Sequence, residues 1–325
     1  MKTRALGKRL RVTEIGLGCW QFGGDFGPME EQTAHDIMLA STEAGATFFD
    51  TADVYGAGRS ETLIGSYLPG FTGKLTVATK FGRDGSVFPD NYTQAELRTA
   101  VNAACRRLAV ESLDLLQLHC IPKRVLEDGS VFNWLRELQS EGTIRSFGAS
   151  VETIEEGLLC MQQPGIESLQ IIFNIFRQKP ADHLLQIAKQ KNVGIIVRLP
   201  LASGLLAGKF SANTTFPETD HRNYNKDGQY FNVGETFAGL PFAKGVEFAE
   251  QIKPLVPEGF TMAQMALRWI LDHDSVSCVI PGASSVEQAQ MNAAVSELPQ
   301  LSLKLHKQLR QFYEEQVTAH IRGPY

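Results

Sequence analysis

The stretch FFDTADVYGAGRSETLIG, Phe48 to Gly65, decides how the chain is read. An apolar run ends on Asp50, a second acid follows at Asp53 and a tyrosine at Tyr55, and the segment beyond has the character of a helix start. A hydrophobic strand that ends on a carboxylate places a charge where burial is costly unless an opposite charge or hydrogen bonds offset it. The partner of Asp50 has to come from another part of the chain, so the question becomes which fold brings strand ends together.

Short β-branched or aliphatic runs recur along the sequence: EIGLG, ATFFD, KLTVATK, LDLLQLH, IRSFGAS, LQIIFN, VGIIVRLP and VSCVIPG, eight candidate strands. Helical patterns separate them, among them EEQTAHDIMLASTEAG and NYTQAELRTAVNAACRRLAV, where Thr93 can cap and Glu96 stands three residues on, as in a capping box. Near-continuous apolar strands alternating with amphipathic helices indicate a parallel sheet covered by helices. Eight such units in 325 residues suit a closed (β/α)8 TIM barrel, with an open doubly wound sheet as the structural alternative. The start, TRALGKRLRVTEIGLG, predicts a hairpin turning at Gly7 and Lys8 ahead of the barrel, and LSLKLHKQLRQFYEEQVTAH predicts an extra C-terminal helix. No Pro- or Ser-rich linker divides the chain, so residues 1–325 read as a single domain. Phe210 to Pro241, rich in Asn, Gly and aromatics, is long for a loop inside a domain and is expected to be functional or disordered.

Composition narrows the function classes. With 31 basic against 36 acidic residues the net charge is −5, and no basic run tracks a phosphate backbone or an anionic membrane, so neither nucleic acid nor membrane is expected as a partner. Cys19, Cys105, Cys120, Cys160 and Cys278 are widely spaced, without a CxxC pair or a His at metal-ligand spacing. Free thiols and a cytoplasmic location are the expectation, and no metal is. GLGCWQFGG has Gln21 where the third glycine of a dinucleotide fingerprint belongs, and GLLAGKF resembles a P-loop but has Phe210 in place of Ser or Thr. Neither motif stands.

In a parallel barrel the reacting groups gather where strands end at the C-terminal face. Strand ends supply Asp50, Lys80 and His119, and Tyr55 follows Asp50 on the next loop. A lysine beside a tyrosine favours phenolate and lowers the phenol pKa, a carboxylate orients the lysine, and a histidine can hydrogen-bond a substrate oxygen. Lys80 is thus the expected partner of Asp50.

These residues carry a resemblance over essentially the whole chain. DTAxxYG at Asp50 to Gly56, ATK ending on Lys80, LxLH ending on His119, GAS ending on Ser150 and IPGA around Gly282 fall in the order of the aldo-keto reductase family, which the sequence resembles. The resemblance implies a (β/α)8 barrel and NADP(H)-dependent interconversion of carbonyls and alcohols. It implies Tyr55 as general acid, Lys80 and Asp50 as its tuning pair, and His119 as the carbonyl-orienting donor. On the cofactor side it implies that Ser150 and Gln170, taken as early in the sixth strand, hold the nicotinamide carboxamide. Pro200, Leu201, Ser203, Gly204, Leu206 and Lys209 would wrap the pyrophosphate, and Gly282, Ser284, Gln288 and Asn292 would grip the adenosine. Three positions depart from the family pattern. Val151 replaces a common Asn, and Arg198 stands where many members stack an aromatic ring. Ser284 stands where many NADP-dependent members carry Arg or Lys, with Lys209 and Arg222 as substitutes for that charge. Arg198 is expected to repel the oxidised, cationic nicotinamide. NADPH is the expected cofactor, with NADH as the alternative.

Trp20, Tyr55, Phe88 and His119 are the expected substrate wall, and aromatic walls with few fixed charges suit a small carbonyl compound. Within the family, DTADVYGxGxSE together with GCW resembles the branch acting on sugar-derived, aromatic or otherwise varied aldehydes. A second class of function is a nicotinamide-nucleotide-binding regulator or sensor with little turnover, as in the potassium-channel subunits of the same family.

Overall fold

Thr3–Leu6 (β1) and Leu10–Thr13 (β2) pair antiparallel, with Thr3 opposite Thr13 and Leu6 opposite Leu10, in a computed structural model that describes residues 1–325. The turn between them needs glycine: Gly7 has φ +69°, and a Cβ there would lie 2.2 Å from the Glu167 carboxylate. Glu167 accepts hydrogen bonds from the Lys8 amide at 2.5 Å and the Arg9 amide at 3.1 Å, which clips the hairpin to the bottom of the fold.

The predicted runs form Leu17–Gly18 (β3), Phe48–Asp50 (β4), Thr76–Phe81 (β5), Leu115–His119 (β6), Phe147–Ser150 (β7), Ile166–Ile172 (β8), Gly194–Arg198 (β9) and Val276–Val279 (β10). Each pairs in parallel with the next in sequence order. Parallel bridges from Ile15 to Val279 and from Gly18 to Gly282 join the first strand to the last. The closed barrel is therefore observed, and the open sheet is not. Gln170 is the fifth of seven residues in β8 rather than an early one, which brings it level with Ser150 on β7.

Helices Glu31–Glu43 (α1), Arg59–Tyr67 (α2), Gln94–Leu108 (α3), Lys123–Asp128 (α4), Ser130–Ser140 (α5), Ile154–Cys160 (α6), Leu184–Lys191 (α7), His221–Tyr224 (α8), Phe242–Ile252 (α9), Met262–Leu271 (α10), Val286–Ala294 (α11) and Leu303–Phe312 (α12) complete the chain. Thr93 caps α3 by accepting from the Glu96 amide. The full two-way capping box occurs elsewhere, at Thr153 with Glu156 and Thr261 with Gln264. None of the helices is long and apolar enough to cross a membrane.

Two apolar cores result. One, of 73 buried residues, lies mainly where helices pack on strands. The other, of 8, contains Phe48, Ala78, Leu115, Ile196 and Cys278 of the strands together with Leu6 and Val12 of the hairpin. The hairpin is thus a plug that seals the bottom of the barrel and leaves the C-terminal face for chemistry. Removing the clip, in Glu167→Ala, leaves two backbone amides without their acceptor and is expected to lower unfolding free energy in urea by about 1–3 kcal/mol. An unchanged urea midpoint would show that the hairpin is held by its apolar contacts alone.

Candidate active site

The carboxylate that ends β4 has found its partners. Asp50 Oδ1 meets Lys80 Nζ at 2.5 Å, and Asp50 Oδ2 accepts from Gln117 Nε2 at 3.0 Å and Gln170 Nε2 at 2.7 Å. Lys80 Nζ also donates to the Thr51 carbonyl at 2.7 Å and to the Tyr55 hydroxyl at 3.2 Å. Asp50 and Lys80 are 2 % exposed, so this is a charge pair inside the barrel with its hydrogen bonds filled by amides. Asp53 has a local role: its Oδ1 accepts from the Val54 amide at 2.8 Å and shapes the turn, and burial, reinforced by Glu61, pushes it up to about 7.

Tyr55 lies between this pair and a ring wall. Its ring stacks against Trp20 at a centroid distance of 5.9 Å, and His119 stands edge-on at 6.0 Å. Trp20 is fixed in turn by its indole N–H, 2.9 Å from Asp25 Oδ2. Burial pushes the phenol up to about 12, with Lys80 pulling down and Asp50 pushing up. The expected lowering by lysine is present but is outweighed by the desolvation of the phenol against the barrel wall. Burial alone would lower the Lys80 ammonium, yet Asp50 and then Tyr55 raise it overall. His119 is held well below its ordinary value by burial and by the Arg83, Lys80 and Arg198 charges. At neutral pH the site is therefore a protonated phenol, an ammonium and a neutral imidazole.

Beside them is a group that the sequence reading did not single out. Arg83 reaches Glu152 at 2.9 Å and Glu235 at 3.0 Å, and Arg198 lies 3.6 Å from Glu235 and 3.3 Å from the Val151 carbonyl. Burial would raise Glu235, but Arg83 and Arg198 hold it low. Burial, together with the charge of Glu235, pushes Glu152 up to about 6. Glu235 thus offsets the Arg198 charge that was expected to repel an oxidised nicotinamide. The expectation of few fixed charges is corrected as well. Cys120, Glu152 and Glu235 place donor atoms within 4.8 Å of one another, but two guanidinium groups already occupy the carboxylates, an arrangement unsuited to a cation.

All of this opens on a cavity of about 1210 Å³ at the C-terminal face. Trp20, Asp50, Tyr55, Phe88, His119, Gln170, Arg198, Pro200, Leu201, Ser203, Gly204, Lys209, Arg222, Gly282, Ser284, Gln288 and Asn292 line it, as the sequence led us to expect. Lys80, Ser150 and Leu206 do not. Ser150, 2 % exposed, turns its hydroxyl to the Cys120 thiol at 3.5 Å, and Leu206 is packed into the apolar core. Gln170 gives its Nε2 donors to Asp50 Oδ2 at 2.7 Å and to Gln117 Oε1 at 3.3 Å. Ser203 donates to the Glu235 carbonyl at 3.5 Å and accepts from the Phe237 amide at 3.1 Å. In the same loop Leu199, Ala202 and Ser203 have φ of 51°, 48° and 55°, left-handed backbone that non-glycine residues rarely adopt and that concentrates at functional sites.

The long loop forms one side of the cavity. Glu235 ties it to Arg83 and Arg198, and Asp25 ties it through the His221 amide at 2.8 Å and the Tyr224 hydroxyl at 2.7 Å. Arg222 is already paired with Asp220, its Nε 2.9 Å from Oδ1, so it has less charge to offer than expected. Lys209 is exposed and makes no ion pair. At α11, the Gln288 side chain accepts from the Ser284 amide at 2.8 Å and Asn292 donates to the Gly282 carbonyl at 3.2 Å, which fixes the helix start against the cavity.

The sequence profile described as Aldo/keto reductase family matches residues 14–314. The chain belongs to the aldo/keto reductase family. An uncharacterized oxidoreductase of Mycobacterium bovis is 30 % identical over 303 residues, 89 % of this chain and 85 % of that protein. The structure of a glycerol dehydrogenase from Gluconobacter oxydans superposes with a TM-score of 0.80 at 26 % identity, covering 99 % of this chain and 98 % of that one. That of an aldo-keto reductase from Bacillus halodurans in its holo form gives 0.77 at 25 % identity and the same coverage. Membership in the family makes this protein an NAD(P)H-dependent oxidoreductase.

Asp50→Ala leaves the buried Lys80 charge unpaired and is expected to cost about 3–5 kcal/mol of stability in urea, part of which returns when Lys80→Met is added. A double variant no more stable than Asp50→Ala would show that the loss comes from packing, not charge.

Proposed function

We infer that the protein reduces the carbonyl of a small aldehyde or ketone to an alcohol, with NADPH as the preferred reductant and Tyr55 as the proton donor. The observation that carries this reading is the Tyr55 hydroxyl, 3.2 Å from a buried ammonium and next to a neutral His119, at the wall of a cavity roomy enough for a dinucleotide and a carbonyl compound. When bound, reduced nicotinamide supplies the hydride that a carbonyl carbon accepts.

The chain's own groups do the rest. Lys80 donates to the Tyr55 oxygen, so the phenol proton is free to point at the substrate. As negative charge grows on the substrate oxygen, Tyr55 gives up that proton, and the ammonium beside it, balanced by Asp50, stabilises the phenolate left behind. His119, neutral, offers a ring N–H to the same oxygen without bringing a charge that the alkoxide would neutralise. Trp20, stacked on the ring, keeps the phenol plane fixed. Residues suited to hold the cofactor are Arg198, Pro200, Leu201 and Gly204 along one wall, with the start of α11 taking a phosphate at its amides. Lys209, uncommitted elsewhere, is the side chain that favours the extra phosphate of NADPH.

Tyr55→Phe is expected to lower kcat for NADPH-dependent reduction by roughly 10²–10⁴-fold while the cofactor Kd moves less than about threefold. With the phenol at about 12 and His119 neutral, neither group changes charge at moderate pH, and the wild-type rate should be flat from about pH 7 to about pH 10. Retained turnover in Tyr55→Phe would remove the tyrosine from the mechanism. Lys209→Met is expected to weaken NADPH binding roughly two- to tenfold and NADH binding hardly at all. Equal losses for both nucleotides would show that Lys209 does not read the phosphate.

A further inference from the structure

The Asp25 carboxylate lines the cavity without a cation to pair with. Its oxygens go to two neutral donors instead, Oδ2 to the Trp20 indole N–H at 2.9 Å and Oδ1 to the Tyr224 hydroxyl at 2.7 Å. One donor belongs to the turn after β3, the other to α8 of the long loop, so a single side chain spans two segments far apart in the chain. We propose, on the basis of the reductase reading above, that Asp25 is a positioning residue for that reaction: through Trp20 it lets the long loop set the place of the Tyr55 phenol.

What holds the phenol is mostly contact between rings. Its hydroxyl accepts one hydrogen bond, the 3.2 Å contact from Lys80, at the long end of the range for N–H···O. The Trp20 ring stacks on Tyr55 at 5.9 Å with 21° between the planes, and His119 stands edge-on. The turn that carries Trp20 also meets Tyr55 backbone to backbone. A Cβ on Gly23 would come within 2.7 Å of the Tyr55 carbonyl carbon and of the Gly56 amide nitrogen, so only glycine allows that approach.

Trp20 is held in turn from the loop. The ring centre of His221, on α8, lies 4.5 Å from that of Trp20, and the Phe231 ring lies 6.0 Å away. His221 is fully buried, and the Asp25 carbonyl accepts from its amide at 2.8 Å. Asp25 thus binds the loop twice, by backbone and by side chain, and its second oxygen holds the indole. A carboxylate suits this task because it is a rigid fork that accepts on both oxygens, with stronger bonds than a neutral acceptor makes. An amide has one acceptor oxygen, which serves the indole or the Tyr224 hydroxyl. The polar atoms of Asp25 and Tyr224 are spent on this link, which leaves them no part in proton transfer.

The test follows single turnovers of NADPH bound to excess enzyme, with 4-nitrobenzaldehyde as the carbonyl compound, so that the rate refers to loaded, folded protein. Tyr224→Phe, which removes one hydroxyl at the loop end of the link, is expected to slow the step about three- to tenfold, and Asp25→Ala about five- to fiftyfold. The aldehyde concentration for half-maximal rate and the Kd for NADPH should each move less than about threefold, and Asp25→Asn should fall between wild type and Asp25→Ala. Adding Tyr224→Phe to Asp25→Ala should cost nothing more, because both cut the same link. In a Tyr55→Phe background Asp25→Ala should change the rate less than about twofold, since the group being aimed is gone. Trp20 emission, taken as the difference from a Trp20→Phe protein, should change in Tyr224→Phe even though the indole bond itself is untouched. A rate unchanged in Asp25→Ala, effects of Asp25→Ala and Tyr224→Phe that multiply, or an undiminished effect of Asp25→Ala in the Tyr55→Phe background would each overturn the proposal and leave the reductase reading standing. No oxidation of bound NADPH by the wild type with any carbonyl compound would overturn both.

Discussion

The Asp50 carboxylate and the Lys80 ammonium meet at 2.5 Å inside the barrel, where water cannot solvate either of them, and the top of the molecule is arranged around that contact. The pair is affordable because each charge is saturated: two amides on the second oxygen of Asp50, a backbone carbonyl and a phenol on the remaining hydrogens of Lys80. Four strands contribute to it: the charges come from the neighbouring β4 and β5, and the amides that complete Asp50 come from β6 and β8, across the curl of the sheet. The hairpin plug and the bridges between the first and last strands support it from below, since they hold the strand ends at fixed heights. Tyr55 inherits its position from this pair, and so does its chemistry: a phenol kept protonated by burial, beside a cation that welcomes the phenolate once the proton has left.

The second charged group does for the loop what the first does for the barrel. Glu235 is the point at which the segment from Phe210 to Pro241 becomes part of the site, since its carboxylate lies between Arg83 and Arg198. The aromatic rings of that segment and its hydrogen bonds to Asp25 fix the remainder. A wall built in this way is specific in its polarity as well as its shape, because its charges sit in a cavity where interactions are only weakly screened.

Much of the fold is legible because parallel barrel strands are buried on both faces and so read as unbroken apolar runs. Asp50, Lys80 and His119 are legible for the complementary reason, since a polar residue at or next to the end of such a run has no packing explanation. Gln117 carried the same signal, an amide between leucines two residues before His119, but a single polar residue within a strand does not say what it bonds. Arg83, Glu152 and Glu235 gave less. On loops a charge is solvated by default, and only closure of three loops over one cavity turns them into a group. At Ser150 and Leu206 a motif names positions but not side-chain directions: the Ser150 hydroxyl lies against Cys120 and the Leu206 side chain packs in the core. The effect of Lys80 on the Tyr55 phenol was readable in sign but not in outcome, because burial depth is a property of the assembled barrel.

What decides the chemistry of this site is whether it moves a hydride from cofactor to carbonyl with Tyr55 beside the acceptor. The direct measurement is to supply NADPH carrying deuterium in both C4 positions of the nicotinamide and to follow the label into the alcohol by NMR. One deuterium per product molecule, on the carbinol carbon, is expected with the wild-type protein. Cofactor that binds but leaves the alcohol unlabelled, or yields no alcohol, would contradict it and leave a nucleotide-binding protein that does not turn over.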